Sequence, residues 1–135
     1  IRNIYSLTSV LETYGIEVQH AERGRDGIAM LEEAPDVDVA LIDIMMPEMD
    51  GYETMRRIRS QPKIAHIPLI SVTAKAMKGD RQKCLDAGAS DYIAKPVDLD
   101  LLLALLRVWV GRSRSRAGTS RTDDGDRNLI APRQI

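Results

Sequence analysis

Residues Val37–Gly51 read VDVALIDIMMPEMDG, and this stretch decides the fold. Val37 to Ile42 is almost wholly apolar, the pattern of a strand covered on both faces. A strand with one wet face would alternate instead. Asp43 follows at once, ahead of a loop shaped by Pro47 and Gly51. Tyr52 to Arg59 then places Met55 and Ile58 on one stripe and Arg56, Arg57 and Arg59 off it, which is helical spacing. Strand, loop and helix in that order is one unit of an α/β domain with a parallel sheet.

The unit recurs in both directions. Downstream, Ile67 to Val72 is a second apolar strand, Lys75 to Ala87 a weaker helix closed by Gly88, and Tyr92 to Ala94 a short strand stopped by Pro96. Asp98 caps a last helix running to about Val110, before Gly111. Upstream, Asp26 to Glu33 is a short amphipathic helix and Ile16 to Ala21 a strand. Arg2 to Tyr14 carries Ile4, Leu7, Leu11 and Tyr14 at helical spacing and ends at Gly15. Right-handed crossovers then place helices on both faces of the sheet.

The chain has 135 residues, a length suited to one domain, with 44% hydrophobic and 29% charged residues. No apolar run approaches the roughly 20 residues a membrane helix needs. No secretory signal pattern is visible, and the one cysteine, Cys84, excludes an internal disulfide framework and a cysteine-built zinc site. A cytoplasmic setting is therefore expected. The net charge of −1 gives no reason to expect nucleic-acid binding. That balance hides an asymmetry, because residues 112–135 hold six Arg and three Asp. They lack periodicity until a short LIA, so the expected division is a domain over 1–111 and a flexible Arg-rich tail over 112–135.

In a parallel α/β sheet, chemistry gathers beyond the carboxyl ends of the strands. Three strands here end in a carboxylate, a hydroxyl and an ammonium: VDVALI in Asp43, IPLISV in Thr73, YIA in Lys95. Asp43 is the sharpest of the three, with a cap or turn residue as its minority alternative, whereas taken singly Thr73 reads as a plain strand residue and Lys95 as a solvated one. Together they describe an acidic nucleophile that can hold a phosphoryl group as an acyl phosphate. Lys95 and Thr73 would then meet the charge spread over its oxygens. Pro96 stiffens the loop that aims Lys95, whether the Lys95–Pro96 bond is cis or trans.

DIMMPEMDGYETMRRIR around Asp43, SVTAKA around Thr73 and AGASDYIAKPV around Lys95 resemble the receiver domains of two-component response regulators, in wording closest to the receiver modules of hybrid sensor histidine kinases. The resemblance covers residues 1–111. It implies a flavodoxin-like three-layer sandwich with a parallel sheet of order 2-1-3-4-5. It implies that Asp43 accepts a phosphoryl group from a phosphohistidine on a histidine kinase or histidine phosphotransfer protein, with Mg²⁺ required. By matching position, Asp43 and the Met45 backbone carbonyl hold the metal and Thr73 and Lys95 sense the phosphate. The Ala74 backbone N–H binds it, and Tyr92 is the aromatic switch. It implies a signalling domain rather than an enzyme, either a stand-alone regulator or a piece of a hybrid kinase.

One departure matters. In the family, a first strand ending in an acidic pair precedes the first helix, yet this chain opens on IRNIYSLTSV, which reads as that helix. The expectation is a chain that, as it stands, is not a normally stable, Mg²⁺-competent monomer, unless residues precede it or another segment fills the gap. DDGDRNLIA in the tail echoes the missing region, but no apolar strand precedes its acids, so substitution by the tail is the disfavoured alternative.

Two other function classes stay in view. One is an interaction module of the same fold that does no phosphotransfer. The other is a flavin-binding protein on the same architecture, opposed by the lack of a phosphate-cradling loop. The last helix, LDLLLALLRVWV, is apolar on nearly every side, which predicts a homodimer or a docked partner at Leu102, Leu106 or Trp109. His20 and His66 lie too far apart in sequence to suggest a metal pair, and Cys84 reads as a half-buried apolar residue.

Overall fold

The computed structural model describes residues 4–46, 48–74, 78–117 and 128–132. Its elements, in chain order, are α1 (Ile4–Thr13), β1 (Glu17–Ala21), α2 (Gly24–Glu33), β2 (Val39–Asp43), α3 (Gly51–Arg59), β3 (Leu69–Thr73), α4 (Lys78–Asp86), β4 (Asp91–Ala94), α5 (Leu99–Ala117) and β5 (Asn128–Pro132). All neighbouring strands pair in parallel, in the order β1-β5-β2-β3-β4.

The side chains of β2 explain the three layers. Ala40 and Ile42 join a core with Ile28 and Leu31 of α2, Met55 and Ile58 of α3 and Cys84 of α4. Val39 and Leu41 point the other way, into a core with Leu7 and Leu11 of α1 and Leu102, Leu106 and Val110 of α5. Every residue of β2 and of β3 is buried, as their unbroken apolar runs require. Cys84 is fully buried rather than half-buried.

Arg59 ties the α3 end of the sandwich to the loops beside β3 and β4. Its Nε donates to Gly88 O at 2.8 Å, and its Nη1 donates to Ala65 O and Ile67 O at 2.7 Å each. Its Nη2 donates to Ser90 Oγ at 3.1 Å.

The expectations for residues 112–135 are corrected at two points. Helix α5 does not stop before Gly111 but continues to Ala117. Side chains on its last turns are anchored: Arg114 pairs with the buried Asp38 at 3.2 Å, and the Arg112 guanidinium lies 4.7 Å from the Trp109 ring centroid. A glycine ends a helix where the chain must turn left-handed; Gly111 has no positive φ. The second correction is the disfavoured alternative itself. Asn128–Pro132 lies between β1 and β2, so the C-terminal segment takes the place that the resemblance gives to the family's first strand. It pairs with β1 from Glu17↔Asn128 to Ala21↔Pro132, but with β2 only at Val39↔Leu129 and Ala40↔Ile130. Five consecutive residues able to form a ladder are enough.

Candidate functional site

Asp43, Thr73 and Ala94, the residue before Lys95, end β2, β3 and β4 at one edge of the sheet. Register holds them level: Asp43 pairs with Val72 and Thr73 with Ala94. The Ile44 amide donates to Val72 O at 3.0 Å and the Lys95 amide to Thr73 O at 2.8 Å, carrying the pairing into the loops.

Asp43 is fully buried. The Met45 amide donates to its Oδ1 at 2.7 Å, and Lys95 Nζ donates to its Oδ2. Burial pushes the carboxyl above the ordinary carboxylate value, against the Lys95 hydrogen bond, the Met45 amide and the Lys95 charge, which all pull it down. Thr73 is buried on the adjacent strand, and Ala74 follows it exposed.

The loop after Asp43 is held close. Asp50 caps α3 by accepting the Glu53 amide at 2.9 Å, and the Gly51 amide donates to Ile44 O at 3.0 Å. A Cβ on Gly51 would come within 2.4 Å of Asp43 O and 2.6 Å of Ile44 Cα, both backbone atoms, so glycine is required for the close approach. Pro47 lies outside the described residues. Pro96 is exposed, and the Lys95–Pro96 bond is cis. Tyr92 lies three residues before Lys95 on β4, half-buried, with the Arg81 guanidinium 5.5 Å from its ring centroid.

Sequence reasoning missed Glu48. It is the one non-glycine described residue with positive φ, 68°, and its carboxylate lies 3.5 Å from both Arg23 and Arg25. That pinning joins the Asp43 loop to the start of α2. No local pattern signals it, because the arginines come from the start of α2. Also missed was Asp91, whose carboxylate accepts from the Tyr92 amide at 2.8 Å and from Trp109 Nε1 at 3.1 Å. The partner face expected on α5 is corrected: Leu102 and Leu106 are core residues and Trp109 is half-buried, whereas Leu101 and Val108 are each 49% exposed.

The chain matches the model of the response regulator receiver domain over residues 2–107. The chain belongs to that family. It is 41% identical over 101 residues to protein PilH of Pseudomonas aeruginosa, covering 74% of this chain and 82% of PilH. It is 32% identical over 123 residues to hybrid signal transduction histidine kinase L of Dictyostelium discoideum, covering 87% of this chain and 7% of that kinase. The receiver thus spans a small fraction of some relatives and most of others. Among solved structures, the receiver domain of a Pseudomonas aeruginosa sensor histidine kinase, with magnesium coordinated in its active-site cleft, superposes with a TM-score of 0.69 at 33% identity. That match covers 82% of this chain and 93% of the other. The flavodoxin-like receiver fold is therefore established, with the strand between β1 and β2 drawn here from the C-terminal segment.

Mg²⁺ is bound by one or two carboxylates, with waters completing a near-octahedral shell. Asp43 offers one carboxylate, with both oxygens already engaged, and among the described residues no group of three or more His, Cys, Asp or Glu forms. The Met45 backbone meets Asp43 through its amide. Among the described residues, no helix is long and apolar enough to cross a membrane.

Proposed function

We propose that this receiver domain is a phosphoacceptor that takes a phosphoryl group onto Asp43 from a phosphohistidine of a histidine kinase or histidine phosphotransfer protein, in the cytoplasm. The observation that carries the reading is the buried Asp43 carboxylate held by the Lys95 ammonium at the carboxyl edge of the sheet. A lone pair of an Asp43 oxygen attacks phosphorus, the phosphorus–nitrogen bond breaks, and its electron pair returns to the imidazole. Asp43 has no exposed surface, whereas the Lys95 side chain is 32% exposed, so Lys95 swings aside to admit the donor and then meets the new phosphoryl oxygens. The product carries roughly −1.5 to −2 charge, which draws Lys95 and the Thr73 hydroxyl toward it. Tyr92, on the strand that ends beside Lys95, transmits that movement as the aromatic switch. Ala74 contributes its backbone N–H. On α5, contact with a partner or a second copy falls to Leu101 and Val108.

Incubation with a small phosphodonor and Mg²⁺, read by intact mass, tests this. The expected result is a gain of roughly 80 Da, one phosphoryl group, on the wild type and none on Asp43→Asn. A wild type that gains nothing favours the second reading, an interaction module of the same fold.

A further inference from the structure

A recess of about 660 Å³ opens beside the loop that follows Asp43, between the starts of α2 and α3. Four arginines line it, Arg23 and Arg25 at the start of α2 and Arg56 and Arg57 on α3. Each of these side chains is more than half exposed. Among the described residues, two carboxylates pair with them. A single oxygen of Glu48, Oε2, stands 3.5 Å from both Arg23 and Arg25. Glu53 takes Arg57 at 2.8 Å but lies 3.7 Å from Arg56. Three of these four contacts are longer than a charge-assisted hydrogen bond, roughly 2.7–2.9 Å. The third carboxylate of the recess, Asp50, is committed to capping α3. A guanidinium presents its N–H donors as a planar fork suited to bidentate pairing, and the recess offers four such forks to two carboxylates.

Glu48 holds its place in a backbone conformation that non-glycine residues rarely adopt, with φ 68°. Its carboxylate is thus a tethered occupant at long range, which an anion free to choose its own geometry can better. The lining decides the class of that anion. Met49 is the one apolar side chain among the described residues that border the recess, and no aromatic ring borders it. A nucleotide or a single strand would find nothing to stack on, and a drug-like ligand would find no apolar wall. A run of carboxylates needs neither. We propose that this recess is a docking surface for an acidic segment of a partner protein, whose carboxylates displace Glu48 from Arg23 and Arg25 and reach across to Arg56 and Arg57. Exposed charges of this kind steer association and weaken as salt rises. Docking here does not require phosphotransfer to Asp43.

The test titrates the full chain into a fluorescent oligoglutamate peptide at low salt and reads anisotropy. Arg23→Ala together with Arg25→Ala is expected to weaken binding about two- to thirtyfold, the worth of two exposed ion pairs. Glu48→Gln is expected to tighten it about two- to fivefold, because the competing carboxylate is gone. Glu33→Gln makes the same change of charge at the exposed end of α2, outside the recess, and should leave binding as it is. Circular dichroism checks folding, and Arg56→Gln with Arg57→Gln replaces the first pair if that variant fails to fold. A wild type and a Glu48→Gln variant that both ignore the peptide overturn the docking surface. So does equal tightening by Glu33→Gln, which would reduce the effect to net charge. An oligothymidylate of matched charge that binds more tightly than the peptide, and loses as much to the arginine substitutions, overturns it in favour of nucleic acid.

Discussion

Lys95 Nζ meets Asp43 Oδ2 across 52 residues of chain, and the carboxylate it meets is fully buried. The pairing depends on two strands, β2 and β4, that are not neighbours in the sheet. Lys95→Ala is expected to leave the fold in place while lowering the coupling between labelling of Asp43 and partner binding. Intact mass and a partner-binding assay on the same sample check this. A variant that labels and binds as the wild type does would remove Lys95 from the mechanism.

Asp43 also sets a pH dependence. Its carboxyl is raised above its unfolded value of 3.8, so the native state binds the proton more tightly. This group's contribution to stability is present at low pH and is lost as pH rises from the unfolded value through the folded one. Asp43→Asn carries no such loss. The stability of the Asn variant minus that of the wild type is therefore expected to grow with pH over that window, measured by urea unfolding at a series of pH values. A flat difference would contradict it.

Gly51→Ala forces backbone to move, because the new methyl would meet Asp43 O and Ile44 Cα. A cost of about 1–3 kcal/mol is expected for such overpacking, together with slower labelling of Asp43. Gly24→Ala is the control: its methyl would meet chiefly the Thr54 side chain, away from Asp43, so it should destabilise without a specific effect on labelling. Equal labelling rates in the two variants would show that Gly51 does not position the acceptor.

Arg59 makes four hydrogen bonds to three loop carbonyls and a serine hydroxyl. Arg59→Ala is expected to cost about 2–4 kcal/mol, since hydrogen bonds to charged groups are worth roughly 1.5–3 kcal/mol each but do not add. Arg59→Lys should recover only part, because an ammonium cannot fan out to four acceptors as a guanidinium does. Denaturant midpoints decide, and full recovery by lysine would show that the charge alone matters.

Leu129→Pro removes an amide from a strand paired on both sides and leaves its ladder acceptor unmatched, an expected cost of about 1–3 kcal/mol. Hydrogen exchange should speed up in β1 and at Val39 and Ala40, where β5 is in register, more than in β4. Unchanged exchange in β1 would mean that β5 does not hold the centre of the sheet.

Much of this was legible in the residues. The unbroken apolar runs at Val37–Ile42 and Ile67–Val72 marked strands buried on both faces, and their polar ends marked the edge where chemistry collects. Both observed strands start two residues later and end one residue later, so Asp43 and Thr73 close the strands rather than follow them. The rest was hidden for physical reasons. NLIAP is too short to show a period, and its partner strand begins at Glu17, at the far end of the chain, so no local pattern announces the pairing. The reach of α5 past Gly111 depends on Asp38, 76 residues from Arg114, and the pinning of Glu48 depends on arginines at the start of α2. Side chains that act within their own strand or turn could be read; those that act through a distant partner could not.

The connectivity has a practical consequence. β5 runs parallel to its neighbours and finishes level with Ala21, while α1, about 15 Å long, runs back toward the entrance of β1. The first and last described elements therefore both open beside the acceptor. A reporter inserted beside Ile4 or Pro132 would crowd the sheet edge that holds Asp43, whereas the turn around Gly15, at the opposite edge, leaves that edge clear.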